Sequence, residues 1–129
     1  MSGLLQSLPV PAYGTRLFMV ATLLGGLLAG AAQAMSIREM RALLKSDKQH
    51  GAEYVQYYLV GAMEGALEAN AQTVRSGAKA LFCLNGRRLE PLMAKPLFDT
   101  ELKRNADLYE ADMPVQLVLM NALSTAYTC

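Results

Sequence analysis

Residues 52–76 read AEYVQYYLVGAMEGALEANAQTVRS. Tyr54, Tyr58, Gly61, Ala62, Gly65 and Ala69 recur at steps of three and four, the spacing of residues that share one face of an α-helix. The spacing predicts a long helix over 52–76 with this small-residue stripe turned inward. Gly61 and Gly65 form a GxxxG pattern, which in lipid brings helices together, but Glu53, Glu64 and Glu68 on the same helix exclude a membrane span. The stripe therefore predicts a close crossing by another helix of the same domain, each glycine costing up to about 1 kcal/mol of helix propensity to permit it. Of Tyr54, Tyr57 and Tyr58, two fall on the stripe, which favours core packing with hydroxyls at the rim over a recognition patch.

Upstream, Ser36 and Glu39 have the spacing of a capping box, and Ile37, Met40, Leu43 and Leu44 continue as an apolar stripe that KSDKQHG ends. Downstream comes RSGAKALFCLNGRR, in which Asn85-Gly86 signals a turn. A third helical piece is expected from near Leu89, with Pro91 in its first turn. Pro96 predicts a break near Lys95 and a fresh start around Asp99, after which Phe98, Leu102, Ala106 and Tyr109 recur at helical spacing up to EADMP. A last helix is expected with Asp112 as cap, Pro114 in the first turn, and Val115, Val118, Leu119, Ala122, Leu123 and Ala126 on one face. No alternating run of β-branched and aromatic residues reads as a strand, so the expected class is all-α, a small bundle of four to five helices.

The chain has 129 residues, and its hydrophobic share of 53% is partly local. Residues 17–34 carry no charge, Arg16 precedes them, and Ala32-Gln33-Ala34 has the small-residue pattern of a cleavage site. Residues 1–34 are therefore expected to be a signal peptide, cleaved after Ala34, that delivers a helical domain of residues 35–129 to the periplasm. Gly25, Gly26, Gly30 and the alanine-rich end argue against a retained transmembrane anchor. Without Arg16, the 12 Lys and Arg become 11, equal to the 11 Asp and Glu. A neutral domain with no basic block is a poor partner for nucleic acid or, once cleaved, for membrane surfaces.

Export makes the two cysteines legible, because an oxidising compartment favours disulfides. An intramolecular bond between Cys83 and Cys129 would restrict the unfolded chain by roughly 4 kcal/mol on the loop-entropy model. An intermolecular bond, and with it a homodimer, remains the other arrangement. Two cysteines far apart and one histidine are too few for a zinc site, and there is no CxxC redox pair.

Catalytic motifs are absent. His50 lies in a polar junction where a solvated histidine is the simpler reading, and no serine sits in G-x-S-x-G or S-x-x-K. Asp99, Glu101, Asp107, Glu110 and Asp112 form an acidic run that reads as a solvated face with capping charges. Arg87 and Arg88 beside the turn are candidates for a partner's carboxylates, a solvated arginine pair being the default. No cofactor is expected, and the chain is not expected to be an enzyme.

Three segments, EYVQYYLVGAMEGA, CLNGRRL and MPVQLVLMNALSTAYTC, resemble the small exported immunity proteins of the Rap/Tai type, which neutralise cell-wall amidase toxins delivered by type VI secretion. The resemblance implies an all-helical periplasmic domain with one disulfide, matching Cys83 and Cys129, that binds a protein partner and catalyses nothing. This chain lacks the family's usual proline near the first cysteine, and Thr128 stands where a proline often precedes the last. As an inhibitor it would need a rigid element to fill an amidase cleft; Asn85, Gly86, Arg87 and Arg88 form one candidate and the junction at His50 the other. A periplasmic acid-stress chaperone of the Hde type, also small, helical and built round one disulfide, is the alternative, with an envelope structural domain as a third. A chaperone of that kind would expose apolar surface once its carboxylates are protonated.

Overall fold

Ser36 opens the first helix of the computed structural model, which describes residues 34–129. Except for Ala34, the expected signal peptide lies outside the described residues. Helix α1 (Ile37–Ser46) has the expected capping box: the Ser36 hydroxyl accepts the Glu39 N–H at 3.2 Å, and Glu39 Oε2 accepts the Ser36 N–H at 2.7 Å. An Asx turn follows, in which Asp47 Oδ1 accepts the N–H groups of Gln49 and His50. At Gly51 a Cβ would lie 2.7 Å from the Leu43 carbonyl oxygen, so the corner between α1 and α2 admits glycine alone without a backbone shift.

Helix α2 (Gly51–Arg75) matches the expected length, but it is rotated about a quarter turn from the expected orientation, at 100° per residue. Its buried stripe is Val55, Leu59, Met63 and Ala66. Burial of a valine, leucine or methionine side chain is worth roughly 1.5–3 kcal/mol, whereas glycine and alanine have little to bury, so the aliphatic stripe takes the core. Tyr54 is 53% exposed, which corrects its placement on the inner stripe, and Tyr57, which lies off that stripe, is 66% exposed. Only Tyr58 turns partly inward, and its hydroxyl accepts the Met35 N–H at 2.9 Å and a hydrogen bond from Gln116 Nε2. Among the described residues no helix crosses at Gly61 or Gly65 either: a Cβ at each would meet nothing within 4 Å.

Beyond α2, Asn70 pins the returning chain by accepting the Leu81 N–H at 2.7 Å and donating to the Phe82 carbonyl at 3.0 Å. Phe82 thereby reaches the core. A 3-10 turn (Pro91–Met93) leads directly into α3 (Ala94–Arg104). Pro96 does not break this helix. It lies in the first turn, where backbone N–H groups have no intrahelical acceptor, so its missing donor costs nothing. The restart expected near Asp99 is accordingly at Ala94.

A second 3-10 turn (Ala106–Leu108) leaves Ala106 exposed rather than on the inner face with Phe98. Asp99, Asp107, Glu110 and Asp112 are exposed as expected of the acidic run, but Glu101 is only 4% exposed. Its Oε1 accepts hydrogen bonds from Asn105 Nδ2 at 2.9 Å and the Tyr109 hydroxyl at 2.7 Å. Burial, and then the bond to Glu101, hold the Tyr109 hydroxyl above its ordinary pKa.

Helix α4 (Val115–Ala126) starts after Pro114, and Asp112 does not cap it, pairing instead with Arg38 at 2.9 Å. Ser36 and Pro114 form an isolated antiparallel bridge, Ile37 N–H donates to Met113, Arg38 N–H to Ala111, and Val115 N–H to Met35. The starts of α1 and α4 thus satisfy each other's orphan donors. Val115, Val118, Leu119, Ala122 and Leu123 are buried on one face, as expected, and pack on α2 and α3 with Phe82, Phe98 and Ile37. Ala126, placed on the same face by spacing, is exposed. Among the described residues the regular structure is helical, and no helix is long and apolar enough to cross a membrane.

Candidate functional site

Cys83 and Cys129 are joined in a disulfide with Cα atoms 4.8 Å apart. The Cys83 N–H donates to the Tyr127 carbonyl at 2.7 Å, so a covalent bond and a main-chain bond act together on the end of α4. Tyr127 itself is buried, at the position four residues after Leu123 that continues the inner face of α4.

The turn that follows Cys83 is built by its two central residues. Asn85 has φ +51° and Gly86 φ +79°, both in the left-handed region that a two-residue turn of this hand requires and that Asn-Gly adopts most readily. The Arg87 N–H closes the turn on the Leu84 carbonyl at 3.0 Å, and Arg87 Nε donates to the same oxygen at 3.0 Å. The guanidinium carbon then lies 4.6 Å from the centroid of the Tyr127 ring, a cation–π contact. Asn85, Gly86, Arg87 and Arg88 are all exposed.

His50 stands apart from this group. It is exposed at the start of α2, with Nδ1 3.8 Å from Asp47 Oδ1 and its ring 6.2 Å from that of Tyr54. Asn70, which holds the segment leading to Cys83, is about 20 residues further along α2, roughly 30 Å at 1.5 Å per residue. The structure therefore brings Cys83 and Arg87 onto Tyr127, with Asn85 and Gly86 in the turn between them, and leaves His50 toward the other end of α2.

Tyr127 was missing from the sequence-based candidates. Its signal was present in STAYTC, an aromatic side chain in step with Leu123 and two residues before a cysteine. What this edge offers chemically is a stiff turn presenting the Arg88 guanidinium, with the Arg87 guanidinium laid against an aromatic ring. Among the described residues no group of three or more His, Cys, Asp or Glu is placed to hold a metal ion. Compared with family models, curated proteins and solved structures, the chain finds no match in any of the three.

Proposed function

We propose that this chain is an exported protein whose helices form a small disulfide-pinned bundle, and that it binds and neutralises a type VI secretion cell-wall amidase as Rap/Tai immunity proteins do. On this reading residues 1–34 are removed, the domain works in the periplasm, and it has neither catalysis nor cofactor of its own. One observation supports it above the others: an exposed turn at 85–88 is held by the disulfide, by the Cys83–Tyr127 main-chain bond and by Arg87 against Tyr127. An inhibitor that inserts a loop gains affinity when that loop is already ordered, because side-chain and loop ordering is a main cost of association. The turn would enter the cleft, with Arg88 meeting acidic or carbonyl groups at its mouth and the substrate shut out.

Capture from periplasm with the oxidised protein, followed by growth protection against whatever hydrolase is recovered, tests the proposal. The expected result is a cell-wall amidase that the protein both binds and neutralises. Arg88→Glu should weaken that binding at least tenfold, about 1.4 kcal/mol, with no change in the unfolding midpoint. If no hydrolase is bound and none is neutralised, the immunity reading fails.

A further inference from the structure

A groove of about 470 Å³ runs between α3 and α4, and none of residues 85–88 lines it. Leu92, Pro96 and Leu97 form one wall, and Ala122 and Ala126 line the other. Glu101 also lines it, although the residue as a whole is 4% exposed. Both hydrogen bonds that Glu101 accepts, from Asn105 and Tyr109, end on Oε1. Among the described residues Oε2 has no hydrogen-bond donor, and no lysine, arginine or histidine nitrogen lies within 4.0 Å of the carboxylate. Oε2 is also not among the fully enclosed polar atoms that lack a partner, so part of its surface is accessible, and Glu101 is one of the residues that line the groove.

A carboxylate in an apolar setting without a counter-ion is an expensive arrangement, and the two donors on Oε1 meet only part of its demand. We infer that this groove is a binding site for a cation carried on an apolar stem, an alkylammonium or alkylguanidinium group. The stem lies along Pro96, Leu97 and Ala122 beneath Leu92, which is 80% exposed at the lip, and the head donates to Glu101 Oε2. The same chemistry is offered by a free small amine or by a lysine or arginine side chain of a partner polypeptide. Arg104 lines the groove as well, but its residue is exposed and its charge is screened by water. The site does not depend on the immunity reading, and its test uses none of the same partners.

Titration of the isotope-labelled oxidised protein with hexylamine, hexanol and hexanoate at neutral pH, followed through the amides of Thr100, Glu101, Ala122 and Ala126, tests the assignment. Hexylamine should bind roughly tenfold more tightly than hexanol, the scale of one hydrogen bond to a charged group, and hexanoate more weakly than either. Glu101→Gln keeps an acceptor for Asn105 and Tyr109 and should make hexylamine and hexanol equal. Ala126→Leu, at an exposed helix end, should block both, and Arg104→Ala should leave hexylamine binding unchanged or tighter. A blocked alanine peptide with one central lysine separates the sources: tighter binding than hexylamine assigns the groove to a partner's side chain, weaker binding to a free amine. Equal affinity for hexylamine and hexanol in the unsubstituted protein, an absence of saturable shifts at these amides, or loss of hexylamine binding in Arg104→Ala would overturn the inference.

Discussion

At Val115, helix α4 is held by hydrogen bonds to residues 35–38; at its other end, past Tyr127, it is held by a covalent bond to Cys83. The first attachment is made of several small contributions, among them the Ser36–Glu39 capping box, the Tyr58 hydroxyl on Met35 and the Ser36–Pro114 bridge. The second concentrates its strength in one bond between residues 46 apart. The difference separates what each end responds to. Acid and competing hydrogen-bond donors act on the start of α4, and a reductant acts on its finish.

Four substitutions and one reductant probe that contrast. Cys129→Ser should have the largest effect, about 4 kcal/mol on the loop-entropy model, seen as a lower urea midpoint. Dithiothreitol should bring the unsubstituted protein to the same midpoint, and an unchanged midpoint in either case would mean that the bond holds nothing in place. Tyr58→Phe at the other end deprives the Met35 N–H of its acceptor and should cost about 1.5 kcal/mol. A still smaller loss, about 1 kcal/mol, is expected from Ser36→Ala, again read as a denaturation midpoint. Arg87→Ala should change global stability least, about 0.5 kcal/mol, while hydrogen exchange at the Cys83 amide quickens.

The acid response has a definite sign. The backbone and side-chain hydrogen bonds of Ser36 hold the Glu39 carboxyl below its ordinary 4.5. A carboxylate whose pKa is lowered on folding contributes stability that is present above the ordinary value and is lost as pH falls through the lowered one. The start of α1, and with it the attachment at Val115, should therefore loosen in acid while the disulfide end does not. An NMR titration of Glu39 in Ser36→Ala should show its pKa rise only part of the way, because the hydroxyl bond is lost while the larger contribution, from the backbone N–H of residue 36, is kept; a value unmoved by the substitution would assign the shift to that backbone bond alone.

Much of this was legible in the sequence because it is encoded locally. Ser36 and Glu39 are three residues apart and satisfy each other without help from elsewhere, and Asn85-Gly86 dictates its own turn. The disulfide was legible because two cysteines allow a single intramolecular pairing. The rotation of α2 was misread because the Tyr54–Gly61–Gly65 and Val55–Leu59–Met63 series have the same period, and only the area each can bury separates them. Pro96 was misread because its cost depends on where the helix begins, which a 3-10 turn upstream decides. Glu101 could not be placed from its neighbours at all. Its burial follows from Tyr109 folding back over α3, eight positions later, and the acidic residues round it gave the opposite signal.

The same geometry has a consequence for the order in which the chain can fold. Val118, Leu119 and Leu123 are fully buried between α2 and α3, and α4 comes after every other helix among the described residues. As residues emerge from amino to carboxyl end, whether from a ribosome or through a pore, α1, α2 and α3 appear with their apolar faces still uncovered. The core closes only once residues beyond Val115 have arrived, and the bond to Cys83 can form only after that.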